Sequence, residues 1–254
     1  MSERYGRAVV DNRARWVKQE GERWAVLDKE PWFGGEPTGE LFDGDYFLAP
    51  VKPGKIVCVG RNYRAHAAEL GNEVPTTPLI FLKPPTAVAG PQDWIERPAA
   101  SEQVEHEAEL GLIIGQWIRD DTVEAARAAV FGLTCVNDVT ARDIQRAEGK
   151  FTRAKGFDSF CPVGPHITTG VDPLDLEVRC TVNGQERQKG RTSQMVFDPY
   201  QLVLFIHSVM TLEPGDLILT GTPAGVGPIV AGDSVTVAIE QVGELTNRVQ
   251  DRGY

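Results

Sequence analysis

An α+β fold is predicted for this 254-residue chain by three features. Short apolar runs of strand-like composition outnumber helical segments, and the helices that can be read are short. Strands and helices also lack the regular βαβ order that a doubly wound parallel sheet needs. No repeat of roughly 20–50 residues suggests a solenoid, and there is no low-complexity tract.

From the N-terminus, apolar patches alternate with the turn signals Asp28-Lys29-Glu30-Pro31, Phe33-Gly34-Gly35 and Phe42-Asp43-Gly44-Asp45. This predicts a small β-rich unit over residues 1–52. Pro50-Val51-Lys52-Pro53-Gly54 reads as the linker that ends it. Lys55-Ile56-Val57-Cys58-Val59-Gly60 has the short apolar run of a buried strand. Polar Arg61-Asn62-Tyr63 then leads into a short helix at 65–70, which Gly71-Asn72 stops. Residues 107–114 read as a strand with Ala108, Leu110 and Leu112 turned to a core.

Asp121 or Thr122 can cap an alanine-rich helix through Ala129, and 132–136 reverts to strand. Thr140-Ala141-Arg142-Asp143 has capping-box spacing, with aspartate in place of Glu or Gln, and opens a helix through Ala147. Asn183-Gly184 within 178–186 is a hairpin signal. Asp198-Pro199 supplies an N-cap and a first-turn proline for a helix to about Thr211. Glu213-Pro214-Gly215-Asp216 turns into a strand at 217–220, and Gly232-Asp233 into a closing strand at 234–240.

Hydrophobic residues at 41% and charged residues at 24% are proportions of an ordinary globular enzyme. The length suffices to bury a core. A formal net charge of −10 argues against nucleic-acid or anionic-membrane partners, whose phosphates call for a basic patch. Met1-Ser2-Glu3-Arg4-Tyr5 lacks a signal peptide's apolar run, and the most apolar helical stretch, 202–212, is interrupted by His207 and Ser208. A cytoplasmic location is therefore expected. Cys58, Cys135, Cys161 and Cys180 are widely spaced with no CxxC pair, which predicts reduced core thiols.

Several residues could carry chemistry. At i and i+2 of a strand, Glu107 and Glu109 share one face, and Asp138 ends the apolar run 133–137. Three carboxylates of this kind suit Mg²⁺ or Mn²⁺, which prefer oxygen donors. The same local pattern suits acids on a wet strand face. His66 and Glu69, three apart on a helix, share a face. An imidazole held by a carboxylate can take a proton from water, although a surface helix also produces this spacing.

Arg142 and Gln145 repeat the i, i+3 relation just after Asp138; a solvated face bearing Asp143 and Arg146 is the alternative. Lys155 lies between small and apolar residues. Three carboxylates around one divalent cation leave a charge of about −1, and Lys155 with Arg142 could offset it for an anionic substrate. Thr220-Gly221-Thr222-Pro223-Ala224-Gly225-Val226-Gly227 lacks P-loop and dinucleotide spacing. It is either a backbone nest for a carboxylate or a strand-end turn.

Ordered blocks run through the chain: Val59-Gly60-Arg61-Asn62-Tyr63 with His66 and Glu69, Phe81-Leu82-Lys83-Pro84, Glu107-Ala108-Glu109-Leu110, and Asn137-Asp138-Val139-Thr140-Ala141-Arg142-Asp143-Ile144-Gln145. They continue with Lys155-Gly156-Phe157-Asp158, Cys161-Pro162-Val163-Gly164-Pro165, Val182-Asn183-Gly184 and Leu219-Thr220-Gly221-Thr222-Pro223. With them, residues 53–250 resemble the fumarylacetoacetate hydrolase family.

The resemblance implies a mixed β-sandwich roll as catalytic domain over 53–254, with the β-rich unit 1–52 as a small variable N-terminal domain. It implies Mg²⁺ or Mn²⁺ held by Glu107, Glu109 and Asp138, and His66 with Glu69 as the water-activating pair on a mobile lid. Lys155, Arg142, Gln145 and Thr222 would bind substrate, Lys155 also serving catalysis, and the protein would be a homodimer. The implied substrate is a small 2-oxo acid, cleaved through an enolate.

Hydrolysis of a 2,4-dioxo acid of the acylpyruvate or fumarylpyruvate type is the main expectation, because Gln145 and the segment 157–162 look like the acylpyruvase and oxaloacetate decarboxylase branch. The alternatives are oxaloacetate decarboxylation, and isomerisation of 2-hydroxyhepta-2,4-diene-1,7-dioate or decarboxylation of 5-oxopent-3-ene-1,2,5-tricarboxylate. Keto-acid binding without turnover is a further alternative.

Overall fold

In the computed structural model, residues 2–44 and 46–253 are described, so Asp45 of the third N-terminal turn signal lies outside them. The architecture is α+β and mostly sheet. The main sheet runs Pro37–Phe42, Arg23–Leu27, Arg13–Glu20, Arg4–Val10, Cys161–Thr168, Val130–Asn137, Ala108–Ile114, Leu217–Leu219, Ile56–Gly60, Leu79–Lys83. Its first four strands are an antiparallel meander from the β-rich N-terminal segment. Arg4 pairs with Thr168 and Tyr5 with Ile167, so this meander continues the larger sheet. Leu217–Leu219 pairs parallel with Ile56–Gly60 and antiparallel with Ala108–Ile114, which makes the sheet mixed.

A second sheet, ordered Gln185–Arg191, Glu177–Val182, Ser234–Ile239, Gly243–Asp251, Ile95–Arg97, packs on one face of the first. Leu110, Leu112, Leu133 and Cys135 meet Val178, Cys180, Val235, Val237 and Leu245 there. The opposite face buries Ile113, Val136, Cys161, Leu217 and Ile56 against Tyr5, Leu27 and Val51. A strand covered on both faces reads as an almost continuous apolar run, which is why Ala108–Ile114 is buried at every position.

Local signals set the caps and turns. Asp198 accepts from the N–H groups of Tyr200 and Gln201, both at 2.9 Å, and opens the helix Pro199–Val209. Thr122 caps Val123–Ala129 by accepting from Ala125 N–H. Asn183 and Gly184, with φ of 52° and 75°, turn the hairpin between Glu177–Val182 and Gln185–Arg191 as the dipeptide predicts.

Three expectations change. The strand expected over 107–114 breaks at Glu107: Val104–His106 belongs to a small third sheet and Ala108–Ile114 to the main one. Glu107 sits at the crossover, its N–H donating to Asn137 Oδ1 (3.0 Å) and its carbonyl accepting from Asp138 N–H (2.8 Å). Thr140 does not cap the helix Arg142–Glu148. It is buried, its hydroxyl donating to the Asp138 carbonyl (2.9 Å), while Asp143 accepts from Ser101 Oγ (2.6 Å) and Glu102 N–H (2.9 Å). Ser234–Ile239 is not the closing strand, because Gly243–Asp251 follows it.

Candidate metal centre

One end of the main sheet gathers the chemistry. Leu219 pairs with Gly111, so the chain leaving Leu217–Leu219 runs back along the start of Ala108–Ile114. Thr220 N–H donates to the Leu110 carbonyl (3.2 Å), and Gly221 N–H reaches Glu109 Oε2 (2.6 Å). Gly221 has φ of 99°, and a Cβ there would lie 2.7 Å from Asn62 Cβ, so only glycine brings this amide so close. Val136 lies opposite Glu109, which places Asp138, two residues on, beside the same carboxylates.

Glu107, Glu109 and Asp138 are 4%, 2% and 1% exposed, which excludes the wet strand face. One oxygen from each lies within 4.8 Å of the others. Glu107 Oε1 accepts from Arg142 Nη2 and its Oε2 from Lys155 Nζ (2.8 Å). Lys155 Nζ also donates to Asp138 Oδ2 (2.5 Å). The other oxygen of Asp138, Oδ1, is buried and meets no hydrogen-bond geometry. Lys83 Nζ stands 2.7 Å from it as a counter-charge, but its donors go to the carbonyls of Val139 (3.2 Å), Lys155 (2.6 Å) and Phe160 (2.8 Å).

Three buried carboxylates converging in this way, with Asp138 Oδ1 met only by the Lys83 ammonium, are a donor set that fits a hard divalent cation. The electrostatics separate the acids. Burial, then the charges of Asp138 and Glu107, hold the Glu109 carboxyl well above the ordinary range. Burial alone would also raise Glu107, but Lys155 and Arg142 outweigh it and hold that carboxyl well below its usual value. Burial would lower Lys155, yet Asp138 and Glu107 raise it.

All nine residues singled out from the sequence line one cavity of 420 Å³. His66, on the helix Arg64–Glu69, faces Glu69 Oε2 through Nδ1 at 3.2 Å, and Glu69 Oε1 accepts from Gly225 N–H (2.9 Å). Arg142 is braced by Glu105 Oε2 (2.7 Å) and Gln145 Oε1 (2.5 Å) besides Glu107. Thr222 lines the cavity with its hydroxyl engaged: it donates to the Ala108 carbonyl (2.8 Å) and accepts from Gln188 Nε2 (2.7 Å).

Sequence reasoning assigned no role to Lys83, Glu105 or Gln188. A lone lysine ending the apolar run Leu79–Lys83 was the one available signal; Gln188 reaches the site from the second sheet and offers none. The four cysteines are free and buried, and burial pushes the Cys161 and Cys180 thiols up to about 12. None is a nucleophile at neutral pH. Among the described residues no helix is long and apolar enough to cross a membrane.

Comparison with known proteins places these features in context. The profile of the Fumarylacetoacetate (FAA) hydrolase C-terminal family matches residues 55–250. A mitochondrial oxaloacetate decarboxylase of Dictyostelium discoideum is 47% identical over 195 residues, covering 73% of this chain and 88% of that protein. A mitochondrial oxaloacetate tautomerase of Bos taurus is 42% identical over 216 residues, covering 80% and 69%. The crystal structure of 2-hydroxyhepta-2,4-diene-1,7-dioate isomerase from Mycobacterium marinum superposes with a TM-score of 0.91 at 44% identity, covering 99% of this chain and all of that one.

Proposed function

From the premise that the chain belongs to the fumarylacetoacetate hydrolase family, we propose that it is a divalent-cation-dependent enzyme that enolises a small 2-oxo acid, driving isomerisation or decarboxylation. The observation that carries this reading is the cluster of three buried carboxylates, Glu107, Glu109 and Asp138, with one oxygen of each within 4.8 Å of the others on the wall of a cavity. A bound Mg²⁺ or Mn²⁺ would supply Lewis-acid polarisation of the 2-oxo group.

The chain's own residues do the rest. Glu107, Glu109 and Asp138 would hold the cation, with Gly221 N–H fixing the Glu109 rotamer. Lys155 and Arg142 offset the acidic charge, so that an anionic substrate can approach. His66, oriented by Glu69, would move a proton to or from the substrate carbon. Phe81 and Phe151 line the cavity and reduce water access.

Hydrolysis of an acylpyruvate, the main expectation from the sequence, becomes the second reading. The names of the relatives favour oxaloacetate chemistry and dienedioate isomerisation over it. The His66–Glu69 pair still supports it, since the same base could activate water. Incubation with Mg²⁺ and a panel of oxaloacetate, acetylpyruvate and fumarylpyruvate, following enol absorbance and CO₂, decides between them. Faster ketonisation or decarboxylation of oxaloacetate without cleavage of the dioxo acids is the expected result. Rates unchanged by excess EDTA would overturn the cation-dependent reading. The reading also includes a homodimer, which sedimentation equilibrium tests.

A further inference from the structure

Gln188 is 0% exposed on the edge strand Gln185–Arg191, although its neighbours Arg187 and Lys189 face solvent. A carboxamide buried there is costly unless its hydrogen-bonding positions are filled, and all four are. Its Oε1 accepts from Ala108 N–H (2.9 Å) and lies 3.0 Å from His106 Nδ1, while its Nε2 donates to Thr222 Oγ1 and to the Pro223 carbonyl, both at 2.7 Å. The roles are forced. Ala108 N–H can only donate, so the atom facing it is the amide oxygen, and that oxygen can only accept, so His106 Nδ1 carries the proton.

Every partner adjoins a residue of the site. His106 and Ala108 flank Glu107, and Ala108 separates it from Glu109. Thr222 and Pro223 lie in the middle of the segment 220–225, whose amides hold two carboxylates: Gly221 N–H reaches Glu109 Oε2 (2.6 Å) and Gly225 N–H reaches Glu69 Oε1 (2.9 Å). Strand pairing between Leu217–Leu219 and Ala108–Ile114 ends where Leu219 meets Gly111. Beyond it side chains take over at Ala108, the Thr222 hydroxyl donating to its carbonyl (2.8 Å) and Gln188 accepting from its N–H. The segment also lies flat on the strand that carries Gln188. A Cβ at Gly190 would stand 2.7 Å from Pro223 Cβ, and one at Gly225 2.0 Å from the Arg187 carbonyl.

We propose that Gln188 is a positioning residue for both halves of the site: gripping the segment 220–225 at its middle, its carboxamide keeps the Gly221 amide on Glu109 and the Gly225 amide on Glu69, and it fixes the spacing of Glu107 and Glu109. That these carboxylates serve a cation and a base rests on the proposed function; the grip itself does not. Groups that orient metal ligands from behind typically contribute about tenfold to hundredfold in affinity or activity.

The test uses Gln188→Met, which keeps the length of the side chain and removes all four hydrogen bonds. Amide hydrogen exchange of the full chain, with Mg²⁺ and again in EDTA, should accelerate at Gly221 and Gly225 about tenfold more than at Ile113, whereas a uniform loss of stability would raise all three alike. The Mn²⁺ dissociation constant, read by electron paramagnetic resonance, should rise about tenfold to hundredfold. At saturating Mn²⁺ kcat should also fall. Gly225→Ala frees only the Glu69 end and should lower kcat alone, and in the double variant the kcat losses should combine to less than their product.

In wild type, the Gln188 carboxamide protons should share the protection of the two glycine amides, a measurement that decides the matter if Gln188→Met does not fold. Freely exchanging carboxamide protons beside protected glycines overturn the grip. So do equal acceleration at all three amides, a change in Mn²⁺ affinity below about threefold, or kcat losses that multiply in full. Absence of Mn²⁺ binding in wild type removes the cation-dependent reading, while hydrogen exchange still decides the role of Gln188.

Discussion

Replacing Lys83 by methionine removes an ammonium that donates to three main-chain carbonyls and stands 2.7 Å from Asp138 Oδ1, with its side chain fully buried. Methionine keeps the length and most of the apolar volume, so the cavity contribution is small. Each buried acceptor left without a donor costs about 1–3 kcal/mol, and breaking a buried ion pair about 3–5 kcal/mol. These contributions share one nitrogen and overlap, which gives a net loss of about 4–6 kcal/mol.

That is a large part of the roughly 5–15 kcal/mol available to a native protein. Urea unfolding in EDTA, followed by tryptophan fluorescence, should show a lower midpoint at unchanged m. For a chain of this size the melting temperature should fall by roughly 8–24 °C. Asp138→Asn combined with Lys83→Met should cost less than the two changes separately. A loss below about 1 kcal/mol, or strict additivity with Asp138→Asn, would refute the claim that Lys83 holds this part of the site together.

Glu109→Gln should leave the fold intact while abolishing Mn²⁺ binding, read by electron paramagnetic resonance, together with turnover; full activity in this variant would refute the assignment. His66→Ala should lose acylpyruvate hydrolysis and the enol–keto proton transfer at carbon yet retain release of CO₂ from oxaloacetate, and equal loss of CO₂ release and hydrolysis would sink the division of labour. The raised carboxyl of Glu109 sets a pH dependence. Its folded-state value lies above the ordinary 4.5, so in EDTA the stability it contributes is present below 4.5 and is lost as pH rises through the raised value. Against Glu109→Gln, the wild type should lose stability over that window, and cation uptake should release a proton, seen as a buffer-dependent calorimetric enthalpy. Gly225→Ala would place a Cβ 2.0 Å from the Arg187 carbonyl at φ of 102°, displacing the amide that holds Glu69. We expect a loss of about 1–3 kcal/mol in stability and a lower kcat, with cation affinity unchanged by titration.

Local signals were sufficient for the features that local chemistry decides. Asp198-Pro199 and Asn183-Gly184 fix a cap and a turn through atoms within four residues of each other, and both were readable. The break at Glu107 was not, because it depends on which sheet each neighbour joins. Gly243–Asp251 escaped because Asn247, a buried position among polar neighbours, is satisfied by the distant carbonyls of Gly90 and Asp93. For the site, spacing left Glu107 and Glu109 open between ligands and solvated acids; resemblance named them and burial removed the second option. The bracing of Arg142 by Glu105 and the engagement of the Thr222 hydroxyl by Gln188 depend on pairings of distant segments, and no spacing announces them.

The insertion of Leu217–Leu219 between Ile56–Gly60 and Ala108–Ile114 bears on how the protein is made. Both flanking strands are synthesised long before the strand that separates them. At about 5–20 residues per second, the interval between residues 114 and 217 lasts roughly 5–20 s. During it two apolar strands present unpaired edges, the surfaces most prone to intermolecular pairing. Long-range pairing also slows the final closure. Substitutions that weaken the docking of Leu217–Leu219 will therefore register first as lower soluble yield and greater chaperone demand, while molecules that do close retain normal turnover.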